Sequence, residues 1–303
     1  MPRKHTFQRK RQGNQTSTEL SRCRPLLMPA AIALVAVLVC TGLQLPQSSS
    51  AYEVMLAVGG PRVWQEPNFL SDAEVDMLQR SVSAPNASEC WSAYHQHAGQ
   101  RTAWIGRGAC NGLAYPELMK QIDLRVAARL NFPLSHMEPG YYQEYSGYKM
   151  QNVHLDQGHW DLAPPRVASA IIYLDTQPHG SGDTVFPLAH GMSPLPNKQR
   201  GAIITKWNAL LNQPGRNVGR GFFRSGHSEP VIFAAAQRSC AEGLGVRPVK
   251  GTAVFFTGRR ELPKDGPLGG PETVEALHGS CDVPHGSRKR VLVKLARSDT
   301  LGL

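Results

Sequence analysis

The sequence predicts an α+β fold that is mainly β: a sandwich or barrel of short strands with helices packed on its outside. Two observations carry this. Before residue 131 the apolar residues recur at helical spacing in two stretches. Beyond Pro139 they fall into short β-branched or aromatic runs separated by Gly and Pro. Helices first and strands afterwards describe layers segregated along the chain, and no internal repeat is present.

The first helix opens at Asn68-Phe-Leu-Ser71-Asp-Ala-Glu74-Val75. Ser71 can cap the amide of Glu74 while Glu74 reaches back to the amide of Ser71, and Leu70 and Val75 occupy the positions of a hydrophobic staple. Val75, Leu78 and Val82 continue one apolar face. Ser83 to Gly112 is polar and glycine-bearing, which predicts loops and short strands. Pro116 sits where a second helix starts, with Leu118, Met119, Ile122, Val126 and Leu130 on its buried side. Strands are expected at 141–145, 167–174, 184–186, 202–205, 252–257 and 289–295. The stretch 188–239 is rich in Gly, Pro, Asn and Arg and reads as an insertion, a lid or a partly mobile loop.

Charge and targeting bound the function. The 303 residues carry a net charge of +10 and are 41% hydrophobic. Residues 1–26 hold seven Lys/Arg against Glu19 alone, which leaves 26 basic and 22 acidic side chains in the rest. The body is therefore not a basic surface of the kind that tracks phosphates, and no nucleic-acid partner is expected. Behind the basic tail, residues 25–43 are apolar and uncharged, and about 20 such residues span a bilayer. The favoured reading is a cytosolic tail over 1–24, a signal anchor over 25–43, a linker over 44–66 and a catalytic domain over 67–298. A cleaved signal peptide or a transit peptide is the alternative, and each puts the chain from about residue 52 outside the cytosol. Cys90, Cys110, Cys240 and Cys281 then suggest two disulfides in an oxidising compartment, with three possible pairings. Asn86-Ala87-Ser88 is a glycosylation sequon.

The chemistry centres on His154-Leu155-Asp156. In an extended backbone the imidazole and the carboxylate share a face. A histidine from another strand, His278, would complete a two-histidine, one-carboxylate set with three coordination positions open, a geometry suited to non-haem Fe(II). Arg288 lies ten residues beyond His278, past a turn at Gly286, where it could grip the far carboxylate of a metal-bound dicarboxylate. Lys289 is its rival, because strand phase is not fixed by the sequence; the offset favours Arg288.

With these residues in view, the chain from about Asn68 to Leu295 resembles the catalytic domain of the prolyl 4-hydroxylases, in particular the membrane-anchored plant and algal type. The resemblance runs through Phe69-Leu-Ser-Asp, Arg101-Thr102, His154-x-Asp156, Arg166-Val-Ala-Ser-Ala-Ile-Ile-Tyr-Leu174 and Gly182-Asp-Thr-Val-Phe-Pro187. It closes with Cys240 to Phe256 and His278-Gly-Ser-Cys281-x-Val283. It implies a double-stranded β-helix (jelly-roll) core and hydroxylation of proline in secretory-pathway proteins, within the endoplasmic reticulum or Golgi as a single-pass membrane protein. The co-substrates implied are 2-oxoglutarate and dioxygen, with Fe(II) and ascorbate, the products succinate and CO₂, and the partner a proline-rich peptide. Residue by residue it implies His154, Asp156 and His278 as iron ligands and Arg288, Tyr173 and Tyr145 at 2-oxoglutarate. Arg166 would contact the peptide. Cys240–Cys281 would be one disulfide, leaving Cys90–Cys110 as the other. Trp160 would line the substrate groove or merely cover the strand. Gln151 stands where the family usually has a tyrosine that helps to hold proline. A zinc hydrolase with the same ligands and a silent peptide-binding module are the competing classes; the first leaves Arg288 without a task and the second predicts a damaged ligand set.

Overall fold

The computed structural model describes residues 53–55, 63–83, 91–97, 99–104, 115–150, 153–156, 165–213, 230–258 and 273–299. The basic tail, the apolar run at 25–43, Asn86, Cys90, Cys110 and Trp160 lie outside them, and no described helix is long and apolar enough to cross a membrane.

The strands are β1 (Glu53–Met55), β2 (Val63–Glu66), β3 (Trp91–His97), β4 (Gln100–Trp104), β5 (Tyr141–Tyr145), β6 (Arg166–Tyr173), β7 (Thr184–Val185), β8 (Ala253–Thr257), β9 (Gly279–Ser280) and β10 (Lys289–Arg297). Eight form one antiparallel sheet in the order β1-β2-β8-β6-β10-β5-β4-β3. β7 and β9 form a second sheet, extended by the single bridges Tyr148↔Val283, His154↔His278 and Thr184↔Val246. From residue 141 onward the chain thus passes between the sheets. The large sheet takes β8-β6-β10-β5, and the small one takes Val246, β7, β9 and then, through single bridges, Tyr148 and His154. This interleaving is the double-stranded β-helix.

Along its central strands β8, β6 and β10 the large sheet is buried on both faces. Along β10, Val291, Val293 and Leu295 face the lumen between the sheets with Tyr145, Ile171, Tyr173, Val254 and Phe256. Leu292 and Ala296 face outward, in one cluster with Tyr142, Ile172 and Phe255 and with the helices α1 (Asp72–Ser83) and α2 (Pro116–Leu130), through Val75, Leu78, Ile122, Val126 and Leu130. A sheet covered on both sides reads as continuous apolar sequence, and all eight residues of β6 are buried.

α1 begins as the sequence predicts. The Ser71 amide donates to Glu74 Oε2 at 2.8 Å and the Glu74 amide to Ser71 Oγ at 3.3 Å, while Leu70 and Val75 are buried together. Arg125 on α2 donates to Glu74 Oε1 at 2.7 Å and to the Phe69 carbonyl at 3.0 Å, so the cap also joins the two helices. Ser71→Ala is expected to lower unfolding free energy by about 1 kcal/mol, measured by denaturant titration, without a change in any site property.

The 188–239 stretch departs from expectation. It contains helices α3 (Asn197–Leu211) and α4 (Pro230–Ala241), and the expected strand at 202–205 lies inside α3. The β-branched pair Ile203-Ile204 suggests a strand, but Ile204, Trp207 and Leu211 recur at helical spacing and are the buried residues of that helix. With Ile232 and Ala236 they pack on Val153, Val185, Leu277 and Cys281. A disulfide joins Cys240 at the end of α4 to Cys281, 41 residues apart in sequence and 5.7 Å between Cα atoms. Helices α3 and α4 thus pack over the small sheet, while residues 214–229 between them lie outside the described residues.

Candidate metal centre and anion pocket

His154 and His278 face each other across the small sheet. The amide of each donates to the carbonyl of the other, at 2.9 and 3.0 Å, so both imidazoles leave the sheet on one side. Their ring centroids are 4.4 Å apart. Asp156, two residues on, extends to the same place: Oδ1 lies 3.6 Å from His154 Nε2 and Oδ2 3.8 Å from His278 Nε2. One ligand atom from each of the three residues lies within 4.8 Å of the others, the sole such cluster of His, Cys, Asp and Glu among the described residues.

The protonation states suit a cation. Burial, chiefly, pushes the His278 imidazole down to about 4, so the ring is neutral at neutral pH. Its Nδ1 lies 3.1 Å from the Ala276 carbonyl; a proton donated there leaves the Nε2 lone pair pointing at the cluster. Burial alone would raise the Asp156 carboxyl. The field of His278, the hydrogen bond and charge of His154 and the Ser169 hydroxyl outweigh it and hold the group ionised, well below the usual carboxylate range. Phe256 and Phe186 flank the His278 ring at 4.6 and 5.7 Å between centroids, forming an apolar wall.

A cation does enter the lumen, but it is Lys289. Its side chain is buried, and Nζ donates to the Gly182 carbonyl at 2.6 Å and to Ser280 Oγ at 2.9 Å. It stands 5.2 Å from the Tyr145 ring centroid and 5.7 Å from that of Tyr173. Among the described residues no carboxylate forms an ion pair with it. Burial lowers it to about 7, against the opposing field of Asp183. Gly182 has φ +67°, and a Cβ there would meet Lys289 Cδ at 2.9 Å, so the cradle under the lysine requires glycine.

Arg288, expected in this role, is turned away. Its side chain is 60% exposed, with Nε 3.7 Å from Glu144 Oε1, which also accepts from Arg101 at 2.6 Å. Strand phase is the reason. β10 starts at Lys289, paired with Tyr145; the next residue, Arg290, points to the opposite face and binds Asp175. Counting ten residues from His278 across the turn at Gly286 misjudges the phase by one, and one residue reverses the face.

The other expected residues fall as follows. Tyr145 and Tyr173 line the lumen; the Tyr145 hydroxyl donates to Gln143 Oε1 at 2.7 Å and the Tyr173 hydroxyl to Thr184 Oγ1 at 2.7 Å. Arg166 is buried, with Nε and Nη2 on the two oxygens of Glu138 at 2.6 and 2.8 Å; Arg297 Nε also lies 2.7 Å from Glu138. Its guanidinium is thus committed to a buried ion pair rather than open to a peptide. Sequence reasoning did not single out Ser169, whose hydroxyl donates to Asp156 Oδ2 at 2.6 Å, nor Thr184. The one trace in the sequence is a serine within the apolar run 167–174.

No family model matches the chain, and no curated protein does. Among solved structures, the viral collagen prolyl hydroxylase of Paramecium bursaria Chlorella virus-1, in complex with 2-oxoglutarate, is 17% identical with a TM-score of 0.43, covering 78% of this chain and 96% of that one. A prolyl 4-hydroxylase from Pseudomonas putida is 19% identical with a TM-score of 0.39, covering 78% and 91%. The α-ketoglutarate-dependent epimerase SnoN from nogalamycin biosynthesis is 13% identical with a TM-score of 0.45, covering 78% of each chain. The strand order of this chain and the placement of His154, Asp156 and His278 make it a double-stranded β-helix protein that presents two imidazoles and one carboxylate to a single point, beside a buried lysine.

Proposed function

We propose that the chain is an Fe(II)- and 2-oxoglutarate-dependent dioxygenase that hydroxylates a peptidyl side chain, with proline as the first candidate. The observation that carries this is the pairing of a His154–Asp156–His278 cluster with Lys289, a buried cation in the same lumen that has no ion-pair partner among the described residues. Two imidazoles and one ionised carboxylate fit a divalent first-row metal and leave positions for exogenous ligands. A buried lysine beside two tyrosine rings, hydrogen-bonded to Gly182 and Ser280 but with no ion-pair partner among the described residues, fits the remote carboxylate of a short diacid.

Bound iron would supply dioxygen activation and oxidative decarboxylation of the keto acid to succinate and CO₂, coupled to hydroxylation of an unactivated C–H. The residues do the rest. His154, Asp156 and His278 hold the ion from one side. Lys289 holds the far carboxylate, with the Thr184 and Tyr173 hydroxyls beside it. Val254, Phe186 and Phe256 keep water from the lumen. The order of motifs shared with prolyl 4-hydroxylases supports a peptide substrate, with dioxygen as co-substrate and ascorbate as the reductant that maintains the iron. The apolar run at 25–43 supports an anchored enzyme facing a secretory lumen. Gln151, in place of the family's tyrosine, favours a second reading in which the hydroxylated side chain is not proline.

Release of succinate from 2-oxoglutarate, with Fe(II) and with or without proline-rich peptides, tests the proposal, with mass spectrometry locating any added oxygen. Peptide-stimulated succinate and a gain of one oxygen on proline are expected. Stimulation only by peptides hydroxylated elsewhere would move the assignment to the second reading. Tight Zn²⁺ binding with no 2-oxoglutarate turnover would overturn both.

A further inference from the structure

We infer that Ser169 pins the carboxylate of Asp156 so that it serves a metal through one oxygen only, keeping three coordination positions free for exogenous ligands. The inference rests on the metal-centre reading above. Left to itself the carboxylate is nearly symmetric toward the site, with Oδ1 3.6 Å from one imidazole nitrogen and Oδ2 3.8 Å from the other. An aspartate in that position can bind through one oxygen or both. Binding through both would consume a position that a two-oxygen keto-acid chelate and dioxygen need together.

Ser169 breaks the symmetry. It lies in the middle of β6, where its backbone is paired on one side with Leu295 and on the other with Phe256. It is 2% exposed, and its lumen neighbours along the strand are Ile171 and Tyr173. From this fixed base its hydroxyl crosses from the large sheet to donate to Oδ2 at 2.6 Å, the short, strong kind of hydrogen bond a hydroxyl gives a carboxylate. The donated proton occupies Oδ2 and sets the carboxylate plane, leaving Oδ1 as the ligand atom. Among the described residues the Ser169 hydroxyl has no other hydrogen-bond partner. It acts through Asp156, as a positioning residue.

Ser169→Thr and Ser169→Val form the test, because they share a shape and differ by the hydroxyl. In full-length protein loaded with Mn(II), the water-proton relaxation enhancement reports how many exchangeable waters the ion keeps. The threonine variant is expected to match wild type. The valine variant should lose about one third of the enhancement, as three open positions become two. Thermal melting of both variants checks that each is folded, and the Thr/Val comparison cancels the cost of the added methyl. Equal enhancement in the two variants would overturn the inference while leaving the metal centre standing. A wild-type protein that fails to hold Mn(II) would overturn the metal-centre reading itself.

Discussion

Asp156→Ala is expected to abolish measurable succinate formation and to weaken Mn(II) binding more than any change outside the cluster. The carboxylate is the one anionic donor of the three. Stripping a buried charge of its partner costs about 3–5 kcal/mol, which corresponds to roughly 10²–10⁴ in affinity. Titration of the protein with Mn(II), followed by electron paramagnetic resonance of the free ion, reads this directly. Thermal melting of the metal-free variant checks that it is folded, so that lost affinity is not mistaken for lost structure. Unchanged Mn(II) affinity in a folded Asp156→Ala protein would sink the ligand assignment, whatever the enzyme then proved to do.

The contrast between what the sequence revealed and what it hid has a physical origin. His154 and Asp156 were legible because their relation is local: two residues apart in an extended segment share a face without any knowledge of the rest. The capping box at Ser71 and Glu74 was legible for the same reason. Arg288 and Lys289 are a different case. Placing them needs the phase of β10, and phase is read from alternation of polarity. β10 has none to offer, since Leu292 packs against helices on one face and Val291 and Val293 line the lumen on the other. Two basic residues at its mouth then differ only in which way the first paired residue points. α3 was hidden by composition, because Gly201 and the polar residues scattered between Asn197 and Asn208 obscured the stripe of Ile204, Trp207 and Leu211. Ser169 left little trace, for its role comes from a carboxylate on the other sheet.

Replacing Lys289 has consequences that Arg288 should not share. Hydrogen bonds to a charged group contribute about 1.5–3 kcal/mol, so Lys289→Ala should raise the KM for 2-oxoglutarate by roughly 10- to 100-fold. Arg288→Ala, at an exposed and partly screened ion pair, should leave it near the wild-type value. The pH dependence adds a sharper test. Burial lowers the free lysine from its ordinary 10.5 to about 7. In the unliganded protein the ammonium is therefore penalised below pH 7, and this penalty is relieved as pH rises from about 7 toward 10.5, where only the unfolded chain still holds the proton. A diacid reverses the preference: its far carboxylate stabilises the ammonium, so binding above pH 7 must take up a proton. The KM for 2-oxoglutarate should accordingly be lowest below pH 7 and climb above it, approaching tenfold per pH unit. Tyr145 and Tyr173, which line the same pocket, are held above their ordinary pKa by burial and stay neutral throughout. Lys289→Arg keeps its charge over this range and should flatten the profile between pH 6.5 and about 8.5 even if its absolute KM is poorer. A wild-type KM that is flat across that interval, or one that responds to Arg288→Ala as strongly as to Lys289→Ala, would remove Lys289 from the co-substrate site.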